Sequence, residues 1–167
     1  MTNTNTVAQS TPARGVAPKH DDNQFASKVA LDGLAEVELA RLAVQKAKNP
    51  EVKRFAQRMV NDHSQASVQL KQLVSNIGMT IPAEITDEQK TDRDRLAKLT
   101  GDEFDREYMQ MMVTGHDRAV AAFEEESREG SVPDVKSWAT KMLPTLKEHQ
   151  ALAKEIVKSD FKHPKPH

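Results

Sequence analysis

Four stretches of this chain repeat apolar residues at intervals of three and four over many turns, a period that admits amphipathic helices and little else. The first begins at Asp21 or Asp22, either of which suits an N-cap, and runs to about Lys48. Its stripe contains Phe25, Val29, Ala35, Leu39, Leu42 and Ala43. Asn49-Pro50 is a turn signal, and Pro50 suits the first position of a new helix. Val52, Phe55, Ala56, Met59, Ala66, Leu70 and Leu73 then form a second stripe to about Ile77, where Gly78 is a stop. A third helix is expected over about 102–129, with Phe104, Tyr108, Met112, Ala119 and Phe123 inward. Gly130-Ser131-Val132-Pro133 breaks it. A fourth runs from about Asp134 to Val157 through Val135, Trp138, Met142, Leu146, Leu152 and Ile156. Pro144 lies inside that helix and should kink it.

The connection between the second and third helices is long. In residues 79–100, Thr86 and Gln89 have capping-box spacing, so a short helix from Asp87 to Leu99 is expected, and Thr100 and Glu103 make a second such box. A bundle of helices of about 28 residues stands about 42 Å tall. A helix of about 12 residues plus ten or so extended residues spans about 50 Å, enough to cross that height. A plain up-down bundle needs only a few residues there. The expected architecture is therefore all-α: a ferritin-like four-helix bundle over residues 21–158, with a crossover between helices two and three. Residues 1–20, rich in Thr, Asn, Ala and Pro, and residues 159–167, which end in His163-Pro164-Lys165-Pro166-His167, read as flexible tails.

Composition narrows the function. Lys and Arg total 24 against 25 Asp and Glu, so no basic surface points to nucleic acid. No apolar run is long enough to span a membrane. With no cysteine there is no disulfide, thiolate metal site or Cys nucleophile. Met1–Ser10 is polar, and no secretory signal is visible. Glycine-rich phosphate loops and nucleophile elbows are lacking too.

The chemistry that remains lies on the apolar stripes. His63 continues the Val52, Ala56, Met59 stripe, His116 follows Met112 by four, and His149 continues Val135, Trp138, Met142. Glu36 stands seven after Val29 and three before Leu39, so it also faces inward. Glu36 and His63 are equidistant from the Asn49-Pro50 turn, which puts both about 20 Å from that end of an antiparallel hairpin. His116 and His149 are equidistant from the second turn and about 25 Å from it. With a crossover the two turns lie at opposite ends, and all four side chains meet near mid-height. Three imidazoles and a carboxylate suit zinc, iron or copper. The same residues also suit a buried polar network in which Glu36 accepts hydrogen bonds and fixes register. Asp62 and Asp105 are the candidate supporting groups of the site, although Asp105, eleven residues from His116, also reads as a helix N-terminal charge or a partner of another residue. Di-iron enzymes of this fold use Glu-x-x-His on two helices, whereas Val60 and Leu146 stand three before His63 and His149. No catalytic residue is assigned. The Met109, Met111, Met112 and Met142 group could offer thioether ligands to copper(I), but Met at helical spacing reads first as gap-filling core.

Glu36-Val37-Glu38-Leu39-Ala40, Met59-Val60-Asn61-Asp62-His63, Gly101–Tyr108, His116-Asp117-Arg118-Ala119-Val120 and Leu143–His149 stand in that order. Together they resemble the bacterial ferritin-like family catalogued as domain of unknown function 4142. The resemblance covers about residues 23–157. It implies a helical bundle and an extracytoplasmic, periplasmic setting, with the cytoplasm as the alternative. It also matches Glu36, His63, His116 and His149 at motif positions and strengthens Asp105 as a polar partner. The expected role is a metal-binding bundle serving metal handling or stress defence. The alternative is a structural or interaction module whose Glu/His network only specifies packing. A metal ion is the expected partner, with a second copy of the chain as a further candidate.

Overall fold

The computed structural model describes residues 21–161, so the tail expected at 1–20, and residues 162–167 of the tail expected at 159–167, lie outside the described residues. Five helices follow one another: α1 (Asp22–Lys46), α2 (Pro50–Asn76), α3 (Asp87–Ala97), α4 (Gly101–Glu129) and α5 (Pro133–Ile156). A π-helical turn, Val157–Phe161, extends α5 into the segment expected to be tail. Among the described residues there is no strand and no helix long and apolar enough to cross a membrane.

Local chemistry explains the boundaries. Asp21 caps α1 by accepting from the amides of Asn23 and Gln24 at 3.0 and 3.1 Å. Asn49 caps α2 through the Glu51 amide, with Pro50 just inside. Gly78 takes φ 72° after α2, and the amides of Gly78 and Met79 return to the carbonyls of Ser75 and Val74. That pair of bonds is a Schellman closure. Thr86 and Gln89 form the expected capping box at α3. The box expected at Thr100 does not form: Thr100 makes no side-chain cap bond. Gly101, at φ 56°, redirects the chain there, a conformation that glycine adopts without strain.

Two clamps show how the helices run. At one end, Asp105 at the start of α4 accepts from the amides of Lys48 and Asn49, in the α1–α2 turn, at 3.1 and 2.7 Å. At the other, Asp22 at the start of α1 accepts from the amides of Ser131 and Val132, each at 3.0 Å, in the α4–α5 turn. So α1 is antiparallel to both α2 and α4, α2 runs parallel to α4, and the chain must cross the full bundle between them. Residues 77–100 make that crossing. Ile85 and Leu96 bury against the bundle, while Arg93 bonds Glu38 at 2.7 Å and Arg95 bonds Glu107 at 2.7 Å. This is the crossover topology expected from the linker length.

Each of the four long helices reads as an apolar segment, a polar step and another apolar segment. One core cluster contains Ala40, Ala43, Val52, Phe55, Met59, Phe104, Tyr108, Met112 and Ala153. The other contains Phe25, Ala30, Leu70, Val74, Phe123, Val135, Trp138 and Leu146. Glu36, His63, His116 and His149 fall between the two clusters on every helix that carries them. Several stripe residues, Val29, Ala66, Ala119 and Met142 among them, are only partly buried.

The clamps generate two predictions. Replacing Asp105 by Ala strands two amides in a turn where the carboxylate is 1% exposed. Urea unfolding should show a loss of about 2–4 kcal/mol, and Asp105→Asn, which keeps one acceptor, a smaller loss. For Asp22, burial alone would raise the carboxyl, but bonds from Ser131, Val132 and Glu126 outweigh it and hold the pKa at about 2. A carboxyl lowered from 3.8 to about 2 stabilises the fold above about pH 4. It contributes on the order of 2 kcal/mol, lost as pH falls toward 2. Asp22→Asn should therefore reduce stability at pH 6 and flatten the decline between pH 4 and 2 in denaturant titrations.

Candidate metal centre

Each of the four long helices sends one polar side chain to the middle of the bundle. The three imidazoles, from α2, α4 and α5, stand as a near-equilateral triangle. Their ring centroids are 5.5 Å apart for His63 and His116, 5.4 Å for His63 and His149, and 5.4 Å for His116 and His149. One ring nitrogen of each lies within 4.8 Å of the others, and all three residues are buried. Glu36 arrives from α1 beside them. Gly115 permits its approach, because a Cβ there would stand 3.3 Å from Glu36 Oε1.

Each ring has one nitrogen engaged and one unengaged. His63 Nδ1 lies 2.9 Å from Glu36 Oε2. His116 Nδ1 donates to the Met112 carbonyl at 2.9 Å, and Glu36 Oε1 stands 3.8 Å from the same nitrogen. His149 Nε2 donates to Asp62 Oδ2 at 2.8 Å. A carbonyl or an ionised carboxylate can only accept, so each of these nitrogens carries a proton. The remaining nitrogens, His63 Nε2, His116 Nε2 and His149 Nδ1, are buried and have no hydrogen-bond partner. Three imidazoles with one N–H tethered outside and one nitrogen unengaged is the pattern of metal-ligating histidines. A metal about 2.0–2.1 Å from each nitrogen needs them about 3.4 Å apart. Side-chain adjustments on the order of an ångström bring the present spread to that distance.

The electrostatics follow from burial and pairing. Desolvation pushes the Glu36 carboxyl up, but the His63 charge and hydrogen bond, with the other two imidazoles, outweigh it and hold the pKa at about 2. Burial lowers His63, yet Glu36 beside it carries the net shift upward. His149 is lowered to about 4, first by burial and then by the neighbouring imidazoles, against the pull of Asp62. Its ring is therefore neutral near pH 7. Burial raises Asp62, while the bonds from His149 and Arg58 bring it below its ordinary value. Arg58 Nε reaches Asp62 at 3.2 Å, and Arg58 Nη1 reaches Glu148 at 2.9 Å.

Of the residues read from the sequence, Glu36, His63, His116, His149 and Asp62 are brought together. Asp105 is not: it sits eleven residues from His116, about 16 Å along α4, occupied by the turn amides described above. Its burial raises its carboxyl. Two participants were not picked out in the sequence. The Met112 carbonyl is backbone and leaves no compositional trace. Arg58 does leave one, its four-residue spacing from Asp62. Met109 and Met112 are buried in the core, whereas Met111 and Met142 are partly buried.

Comparisons with known proteins agree with this frame. CopM in its Cu(I)-bound form has TM-score 0.72 and 20% identity, over 86% of this chain and 99% of CopM. A DUF305 fragment from Deinococcus radiodurans has TM-score 0.72 and 15% identity, over 82% and 95% of the two chains. A conserved hypothetical protein from Mycobacterium tuberculosis has TM-score 0.65 and 12% identity, over 83% and 91%. At such identities the likeness shows the shared fold. No curated protein matches the sequence. The family model described as domain of unknown function (DUF4142) matches residues 7–156, and the chain belongs to that family.

Proposed function

We propose that this chain binds one transition-metal ion at mid-bundle and serves metal handling in the bacterial envelope. The observation that carries the reading is a cluster of three buried histidines, with a ring nitrogen of each within 4.8 Å of the others and one buried nitrogen per ring without a partner. Leaving buried acceptors unpaired costs on the order of 1–3 kcal/mol each, and a bound cation removes that cost for all three at once. His63, His116 and His149 would hold the ion. Glu36 would act through His63, and Asp62 through His149, rather than as ligands. Nitrogen donors suit copper, zinc and iron. Copper is the first ion to test, because CopM structures are described with Cu(I), Ag and Cu(II). The ion supplies affinity and charge. The protein fixes ring tautomers, positions the donors and keeps water out. The envelope setting rests on the family resemblance.

Metal analysis of chelated and then reloaded protein should return one ion per chain. His116→Ala should abolish it while helical circular dichroism persists. Glu36→Gln and Asp62→Asn should keep the ion but weaken affinity by about 10–100-fold. At a free concentration a hundred times Kd, the ion should add about 2.7 kcal/mol to unfolding stability. A reloaded protein that stays metal-free, with His116→Ala changing only its melting temperature, would instead leave the cluster a packing network.

A further inference from the structure

Beside the imidazoles, toward the α4–α5 turn, the two hairpins leave a chamber of about 190 Å3 open to the surface. Two features of its lining say what fits there. The inner wall is aromatic. Phe25 meets Phe123 edge-on at 5.0 Å, and Phe123 meets Trp138 at 5.5 Å. The space itself exists because the stripe positions facing it carry Ala66, Ala119 and Ala122 instead of larger apolar residues. Those alanines are partly exposed although their helical phase points inward.

Polar groups also line it: His63 and His149 on the side of the imidazole layer, and Ser67, Arg118 and Thr145 elsewhere. Lys28 pairs with Asp32 at 2.7 Å, and Gln89 donates to the other oxygen of Asp32 at 3.3 Å. The unengaged imidazole nitrogens are buried away from solvent. The surface the chamber presents is nonetheless mainly aromatic and aliphatic. An apolar cavity of about 150 Å3 stays dry and accepts benzene, so this chamber has room for one ring with small substituents.

We propose that the chamber is a binding site for a small, uncharged, monocyclic aromatic molecule. His63 and His149 border the chamber on one side, but the proposal does not depend on the metal reading, since the rings that select the ligand are Phe25, Phe123 and Trp138. Trp138 is the single tryptophan of the chain and lines the chamber, which makes its emission a direct report of occupancy.

The test is a toluene titration of the full chain, once after chelation and once after metal reloading, following Trp138 emission excited beyond the absorption of toluene. A saturable emission change is expected in the chelated protein, with a melting temperature higher by about 3 °C near saturation. Ala122→Phe and Ala66→Phe, which fill the chamber from α4 and α2, should each remove the response while cooperative melting persists. Should either variant fail to fold, nuclear Overhauser contacts between toluene and the Trp138 ring in the unaltered chain decide the matter. A linear, unsaturable response, an equal response in a folded filled variant, or the absence of those contacts overturns the proposal. Failure of metal loading with toluene binding intact would sink the metal reading alone.

Discussion

A polar layer buried halfway up an apolar bundle is the constraint on which this structure turns. Apolar side chains pack in any register that keeps their stripe inward, but imidazoles and a carboxylate must find partners or forfeit a large solvation energy. Here the layer divides the core in two, with Phe55, Tyr108 and Met112 on one side and Phe123, Trp138 and Leu146 on the other. Sliding any helix by one turn, about 5.4 Å, would drive a polar group into an apolar cluster. Register is thus set by a few costly residues, and the apolar majority follows.

The same layer fastens the hairpins to each other. Within a hairpin, Glu36 on α1 meets His63 on α2, and His116 Nδ1 is bonded within α4. Between hairpins, Asp62 on α2 reaches His149 on α5, and Arg58 extends that link to Glu148. With Asp105 clamping one end and Asp22 the other, the bundle is held by polar contacts at three heights. The chamber opens between the middle and upper fastenings, where the facing stripe residues are small.

This arrangement explains what could be read from sequence. Helices of fixed rise joined by short turns make height a linear function of residue number, so the distances of Glu36, His63, His116 and His149 from their turns placed them at one level. The crossover was legible for a similar reason, since only a long connection spans the bundle. Roles were less legible than positions. Periodicity brings Glu36 to the layer without saying whether its oxygens face a metal or the far nitrogen of His63. Asp105 sits in the same motif order as the site, yet the turn amides claim it, and the height rule already put it about three turns from His116. Thr100 has capping-box spacing, but the positive φ of Gly101 is a backbone choice that spacing alone does not reveal. Ala66 and Ala119 lie in the stripe and are only half buried, because burial depends on what the opposite hairpin brings.

Charge takes the argument one step further. Asp62 has a guanidinium beside it as well as an imidazole. Glu36 is ionised and has only imidazoles. His149 is neutral near pH 7. With all rings neutral the layer would hold one uncompensated negative charge, next to three buried ring nitrogens without hydrogen-bond partners; Glu36 makes His63 the ring that most readily takes a proton. An uncompensated charge in such surroundings is among the costliest arrangements a core can hold. A proton on the cluster answers the charge but engages few of the nitrogens. The proposed cation, held by all three rings, would answer the charge and the unpartnered nitrogens together, with Glu36, 2.9 Å from His63 Nδ1, as its counter-ion.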